Sequence, residues 1–138
     1  MSTQGPWKAV GSSMACGAAY DLFFAVAILF FTAPAAALLG LAVPEDPVYL
    51  RLNGIFLLIL AAFYCLPALA PKRYSGVVVL AAGGRILGFL FFTWAWMASD
   101  TTVFLILGVA DLMFGVVHGF LLWRTGRSPA QPELNTGA

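Results

Sequence analysis

The sequence predicts an all-α integral membrane protein, built as a bundle of four transmembrane helices, and three observations predict this fold. Of the 138 residues, 62% are hydrophobic and only 9% are charged, whereas a soluble domain carries about 25% charged residues. The apolar residues are collected in four runs, each long enough for the roughly 20 residues that a helix needs to cross a bilayer. Nine of the 13 charged residues fall outside these runs, in the connecting segments or at the two ends of the chain.

The first span is predicted over residues 14–32, after a polar cytoplasmic lead over residues 1–13. Pro34 follows the end of this span. Because proline is favoured in the first turn of a helix, the preferred interpretation is that the span stops before Pro34 and a short interfacial helix then begins. A single helix kinked at Pro34 is the alternative. In either case Asp21 lies within the membrane or at its edge.

The later part of the chain contains clear turns between apolar runs. The first turn is Pro44-Glu45-Asp46-Pro47, and a basic turn, Pro71-Lys72-Arg73, follows the second span. The transmembrane domain therefore extends over residues 14–123, and the polar tail over residues 124–138 is expected to be flexible because it has nothing to bury. The second, third and fourth spans are predicted over residues 48–68, 75–98 and 102–123.

The charges of the connecting segments predict the orientation of the bundle. Loops rich in lysine and arginine stay in the cytoplasm, and the cations outside the spans lie before the first span, between the second and third, and after the fourth. The other two loops are acidic. Both termini are therefore predicted to be cytoplasmic, in a multi-pass protein of the inner membrane. The cations that determine this orientation are Lys8, Lys72, Arg73, Arg124 and Arg127.

A central ion pair is predicted between the third and fourth spans. Arg85 stands in the middle of the third run, where a cation costs about 2.5–3.5 kcal/mol on insertion scales unless it has a partner. At about 1.5 Å per residue, Asp111 lies at a similar depth in the fourth run. The spacing Gly84-x-x-x-Gly88 permits a close approach of the two helices. Arg85 and Asp111 are therefore expected to pair.

A second, shallower pair is expected between Asp21 and His118 near the cytoplasmic face. Each pair has two interpretations. It is a structural clamp that fixes the register of two helices, or it is part of a path for protons, because a histidine can change its charge near neutral pH. Possible supporting residues are Tyr20 and Tyr64 at the inner end and Arg51 and Asn53, interfacial anchors, at the outer end.

Several function classes are disfavoured by the composition. The net charge of +1 offers no basic surface for nucleic acid. The two cysteines and the single histidine are not at metal-ligand spacing, so neither a metal nor a cofactor is expected. The thiols of Cys16 and Cys65 are expected to be free because the cytoplasm is reducing. The expected partners are the lipid bilayer and either other membrane subunits or further copies of the chain.

Two stretches carry a resemblance to known proteins. One is Tyr49-Leu50-Arg51-Leu52-Asn53-Gly54, and the other runs from Pro71-Lys72-Arg73 through Gly84-Arg85 to Ala110-Asp111-Leu112. Over about residues 18–123 the chain resembles uncharacterised small four-helix bacterial inner-membrane proteins and, more distantly, DoxX-like proteins. The resemblance implies a bacterial inner-membrane bundle and no particular activity. Small multidrug transporters share the helix number, but the central arginine is not their pattern.

Three functions are compatible with these observations. The favoured one is a non-enzymatic membrane protein, a structural or accessory subunit of an assembly, because no nucleophile–base or metal constellation is present. The alternative is a small proton-linked transporter using the four intramembrane ionisable residues. A membrane enzyme or binder acting on a lipid or quinone is the second alternative. The four residues of this candidate polar site are Asp21, Arg85, Asp111 and His118.

Overall fold

The computed structural model is all-helical and describes residues 4–126. Within that range it contains no β-strand. Four of its helices are long and apolar enough to cross a membrane, which agrees with the predicted four-helix membrane bundle. The elements in chain order are α1 (Gln4–Phe30), α2 (Thr32–Leu38), α3 (Val48–Leu69), α4 (Ser75–Ser99) and α5 (Thr102–Gly126).

Helix α1 begins much earlier than the sequence interpretation placed it. The segment expected to be a non-membrane lead is helical from Gln4 onward. The reason is that this segment has its own apolar stripe. Val10, Met14 and Ala18 follow one another at i, i+4 spacing, and all three are buried in a core cluster with residues of α3 and α4. Packing of this stripe extends the helix by more than two turns beyond the apolar run.

The chain breaks between α1 and α2 in the way that the preferred interpretation expects. Helix α1 ends at Phe30, and Phe31 leaves the helical conformation, with φ −129° and ψ 38°. Helix α2 then begins at Thr32 and places Pro34 in its first turn, where the missing proline N–H leaves no helical hydrogen bond unmade. The first apolar run therefore forms two separate helices and not one kinked helix.

The other long helices begin and end close to the positions that the apolar runs predict. Helices α3 and α4 each extend one residue past the expected ends, and α5 continues to Gly126. Of the predicted tail, residues 127–138 lie outside the described part of the chain. Helix α1 packs mainly on α3, and α4 packs mainly on α5; contact between α1 and α5 joins the two pairs, whereas α3 and α4 touch only slightly.

The distribution of apolar and polar residues in the bundle is the one expected in lipid and not in water. Large side chains such as Phe23, Leu80 and Leu87 are exposed on the outer surface, while the interior holds many small residues, the charged ones and a few larger side chains. An exposed apolar surface of this extent in water would drive association. The same surface is stable against acyl chains, which makes the described bundle suited to a membrane.

Candidate functional site

One arginine joins three of the four long helices at the centre of the bundle. Arg85 of α4 donates through Nη1 to Asp111 Oδ1 of α5 at 2.7 Å and through Nη2 to Asp21 Oδ1 of α1 at 2.6 Å. The exposed fraction is 7% for Arg85, 1% for Asp21 and 7% for Asp111. These are the only two ion pairs within residues 4–126. The predicted contact with Asp111 is present, and it is half of a three-residue arrangement, here termed the ionic triad.

Aromatic rings surround the guanidinium of the ionic triad. The Arg85 Cζ atom lies 5.2 Å from the ring centroid of Tyr20, 5.6 Å from that of Tyr64 and 5.1 Å from that of Phe114. Cations within about 6 Å of a ring centroid are attracted by the electron-rich face, and more strongly where water is excluded. Tyr64 belongs to α3, so the fourth long helix also contacts Arg85.

A glycine on α4 makes room for one of the carboxylates. A side-chain Cβ at Gly88 would collide with Asp111 Oδ2, so only the absence of a side chain lets α5 bring this carboxylate to Arg85. Gly84, the other glycine of the predicted Gly-x-x-x-Gly pair, does not serve this purpose. It is exposed, and no atom of the described residues outside its own helix lies within 4 Å of its Cβ position. The prediction that Gly84 lines the helix contact is wrong.

The expected pair between Asp21 and His118 does not form, because both residues have other partners. Asp21 binds Arg85, and His118 Nδ1 lies 3.2 Å from Ser13 Oγ of α1. Ser13 in turn donates its hydroxyl hydrogen to the carbonyl oxygen of Val10. Its oxygen is then the acceptor toward His118, which assigns the imidazole hydrogen to Nδ1 and leaves Nε2 as an acceptor.

Tyr64 lies between the ionic triad and His118. Its ring approaches the Arg85 guanidinium, and it meets the His118 ring edge to face, with centroids 6.4 Å apart. Phe114 also touches both residues, with its ring centroid 5.7 Å from that of His118. The two predicted polar groups are therefore not separate pairs. They form one continuous line of contacts, from Asp111 to Ser13.

Two buried acceptors in this line have no hydrogen-bond partner within the described residues. They are Asp21 Oδ2 and His118 Nε2. The Nε2 atom faces Gly17, whose Cβ position is 3.3 Å away. An unpartnered buried acceptor costs free energy, and it is also an atom that can take up a proton. The free-energy cost of these two acceptors counts against a simple clamp, and their capacity to accept a proton is compatible with a proton path.

The supporting residues predicted for the outer end are not part of this site. Arg51 and Asn53 are exposed in the first turns of α3. No ion pair joins Arg51 to Glu45 or Asp46 in the part of the chain that the structure describes. Asp46 instead accepts a hydrogen bond from the backbone N–H of Val48, at the start of the same helix. Arg51 is thus available to lipid headgroups by the snorkelling that its position predicts.

Neither of two cavities in the described structure opens onto the acids or the histidine. One, of about 380 Å³, lies between α1, α2 and α5 and has Tyr20 as its polar wall. The other, of about 1220 Å³, lies at the opposite end of α1. Asp21 and His118 line neither of them. Residues 4–126 also bring together no group of three or more His, Cys, Asp or Glu in the way that metal ligands meet.

Sequence reasoning missed Ser13 and Phe114. Phe114 could have been predicted, because residues three and four apart share a helix face, and Phe114 stands three residues after Asp111 and four before His118. Ser13 carried no such signal, since it lay in the stretch expected to precede the membrane. The thiols of Cys16 and Cys65 are free and exposed on the bundle surface.

Comparison with protein-family models, with curated proteins and with solved structures gives no match to this chain. The resemblance to DoxX-like proteins therefore stays a prediction.

Proposed function

We propose that this chain is a non-enzymatic, multi-pass protein of a bacterial inner membrane, with both termini cytoplasmic, that serves as a structural or accessory subunit of a membrane assembly. In this proposal the short helix α2 lies at the outer interface. The ionic triad acts as a clamp that fixes how the four long helices pack. No step of a chemical reaction is assigned to it.

The observation that carries the proposal is the enclosure of Arg85. Its guanidinium is held by carboxylates from α1 and α5, enclosed by rings from α1, α3 and α5, and separated from both cavities. A cation that has to bind or release a ligand needs a free donor on an accessible side. Both Arg85 Nη atoms are engaged. The Nε atom has no hydrogen-bond partner within the described residues, but it is buried and so offers no accessible donor. This burial favours a role in holding the helices together.

A membrane subunit of this kind should be found in an assembly. We expect extraction with a lipid-retaining copolymer, followed by native mass spectrometry, to give a particle heavier than one 14.7 kDa chain. The particle contains either further copies of the chain or other subunits. A monodisperse single chain, still folded by circular dichroism, would contradict the proposed role.

A proton-linked carrier is the second candidate, favoured by the two unpartnered acceptors Asp21 Oδ2 and His118 Nε2. Two carboxylates and one guanidinium carry a net charge of −1 when all are ionised. A single proton gained by this group would neutralise the centre of the bundle, and Tyr64 links that centre to His118. A carrier could use such a change of charge to couple proton movement to a change in helix packing.

The two candidates differ in a measurement on proteoliposomes that contain a pH-sensitive dye. The clamp proposal expects no dissipation of a pH gradient beyond that of empty liposomes between about pH 5 and 8, where an unperturbed histidine titrates. A carrier would dissipate the gradient, and His118→Asn would abolish this while the protein keeps its fold. The substitution retains a donor toward Ser13 but cannot accept a proton.

A further inference from the structure

A large open cavity lies at the end of the bundle where α1 begins and the turn between α3 and α4 is found. Its volume is about 1220 Å³, which exceeds the roughly 300–1,000 Å³ typical of small-molecule sites. This cavity, here termed the basic groove, is separate from the ionic triad and has no part in the proposed clamp. Its lining includes Trp7, Lys8, Gly11, Ala15, Lys72 and Arg73.

The charges of the basic groove are all of one sign. Lys8 comes from α1, and Lys72 and Arg73 come from the turn before α4; all three are exposed. No acidic residue among residues 4–126 lines the groove. None of the three cations forms an ion pair within residues 4–126. The Arg73 Cζ atom lies 5.4 Å from the ring centroid of the neighbouring Tyr74. The groove thus presents three cations without a counter-charge from the described chain.

The floor of the groove is apolar because it is formed by Gly11, Ala15, Ala68 and Leu69, and α1 and α3 approach each other closely at Gly11. A Cβ at Gly11 would lie 2.9 Å from the carbonyl oxygen of Ala68, so glycine is needed for this approach. Ala15 and Leu69 continue the floor toward the lipid-facing surface. Trp7 lines the groove and packs against the core cluster, and tryptophan is enriched at the level of lipid headgroups. The groove therefore combines a cationic rim with an apolar floor.

We propose that the basic groove binds the headgroup of an anionic phospholipid. Lys8, Lys72 and Arg73 contact the phosphoryl oxygens, and the first part of an acyl chain lies on the apolar floor beside Ala15. Cations near a membrane surface attract anionic lipids, and charge-assisted hydrogen bonds to phosphate are among the stronger polar contacts. The floor distinguishes this site from an evenly basic surface, because it gives the lipid a fixed position between α1 and α3.

The proposal is tested by native mass spectrometry of the full chain released from nanodiscs that contain equal amounts of phosphatidylglycerol and phosphatidylcholine. We expect phosphatidylglycerol to stay bound. Lys8→Gln should weaken its retention about fivefold, which corresponds to about 1 kcal/mol per basic residue near a membrane surface. Arg124→Gln is the matched control. Arg124 is exposed near the end of α5 and lies outside the groove.

A second variant changes the shape of the groove and leaves its charge unchanged. Ala15→Leu adds volume at an exposed position of the floor and leaves every cation in place. We expect it to lower phosphatidylglycerol retention at least threefold, with an unchanged helical content by circular dichroism. Because the substituted side chain faces open space, the variant should fold normally and should test occupancy of the groove directly.

Four outcomes would overturn the proposal. Equal retention of the two lipids would show that the groove does not select for negative charge. An effect of Arg124→Gln as large as that of Lys8→Gln would reduce the attraction to a general surface effect. Displacement of the lipid by inorganic phosphate alone would assign the cations to a free phosphate. A change in the dimer fraction, and not in the lipid adduct, would assign the groove to a second copy of the chain.

Discussion

Replacing Arg85 by leucine should destabilise the bundle more than replacing either aspartate, because one cation serves two buried carboxylates. Arg85→Leu leaves both acids buried without a counter-charge, and breaking a buried pair by removing one partner costs about 3–5 kcal/mol. Asp111→Leu leaves a balanced pair, in which Arg85 still binds Asp21 at 2.6 Å. The loss there is closer to that of one charge-assisted hydrogen bond, about 1.5–3 kcal/mol.

Combined replacements distinguish an ionic triad from a simple pair. Arg85→Leu with Asp111→Leu would recover most of the stability if these two residues formed an isolated pair. In the structure the double change still strands Asp21, which is 1% exposed, so little recovery is expected. Adding Asp21→Leu removes the last buried charge. The triple variant should recover most of the free energy of unfolding, because apolar replacement of a whole buried ionic group is often neutral or stabilising.

The free energies of unfolding can be compared by titrating the purified variants in mixed micelles with sodium dodecyl sulfate, using far-ultraviolet circular dichroism as the signal. Arg51→Leu is the matched control, since Arg51 is an exposed cation on α3 outside the triad. Its free energy should change by no more than about 0.5 kcal/mol, as surface substitutions usually do. The ionic triad is refuted if the double variant is as stable as the triple one. It is also refuted if Arg85→Leu lowers the free energy of unfolding no more than Asp111→Leu does.

Two further predictions follow from the packing of α4 and from the charges of the loops. Gly88→Ala should lower the free energy of unfolding by about 1–3 kcal/mol, since overpacking costs that much and the added Cβ collides with the Asp111 carboxylate. Gly84→Ala is the matched control, because its Cβ faces open space, and it should be neutral or slightly stabilising. Equal effects of the two substitutions would contradict the collision. In a chain whose own cysteines are replaced by serine, Asp46→Cys should react with an impermeant maleimide on intact cells and Lys72→Cys should not, whereas the reverse labelling would invert the proposed topology.

The positions of most helices were predictable from the sequence because they depend on the length of each apolar run and on the residues that flank it. The length of an apolar run determines how much helix a bilayer can hold, and Pro44, Pro47 and Pro71 mark turns between apolar runs. Pro67, by contrast, lies inside α3. These rules placed α3, α4 and α5 within a few residues, and they placed the break before Pro34. The choice of Arg85 as the residue around which the interior is organised also needed only the cost of a buried charge.

The start of α1 was not predictable in this way. The stretch before Met14 contains glycine, serine and a lysine, and by composition it resembles a lead outside the membrane. Val10 in this stretch and Met14 at its end are too few apolar residues to define a span there. They become decisive only when α3 and α4 supply a surface that buries them completely, and that surface is a property of the assembled bundle.

The partner of Arg85 was decided by the tertiary structure, and the early start of α1 is the physical reason. With α1 beginning near Met14, Asp21 would lie about 10 Å into the membrane at 1.5 Å per residue, at the level of His118. In the structure Lys8 and Arg73 line the same groove. Asp21 then lies roughly 20 Å beyond Lys8, and Arg85 roughly 18 Å beyond Arg73, by the same rise. The sequence by itself determined that Arg85 needs a buried acid, and the relative heights of the packed helices decided that it has two.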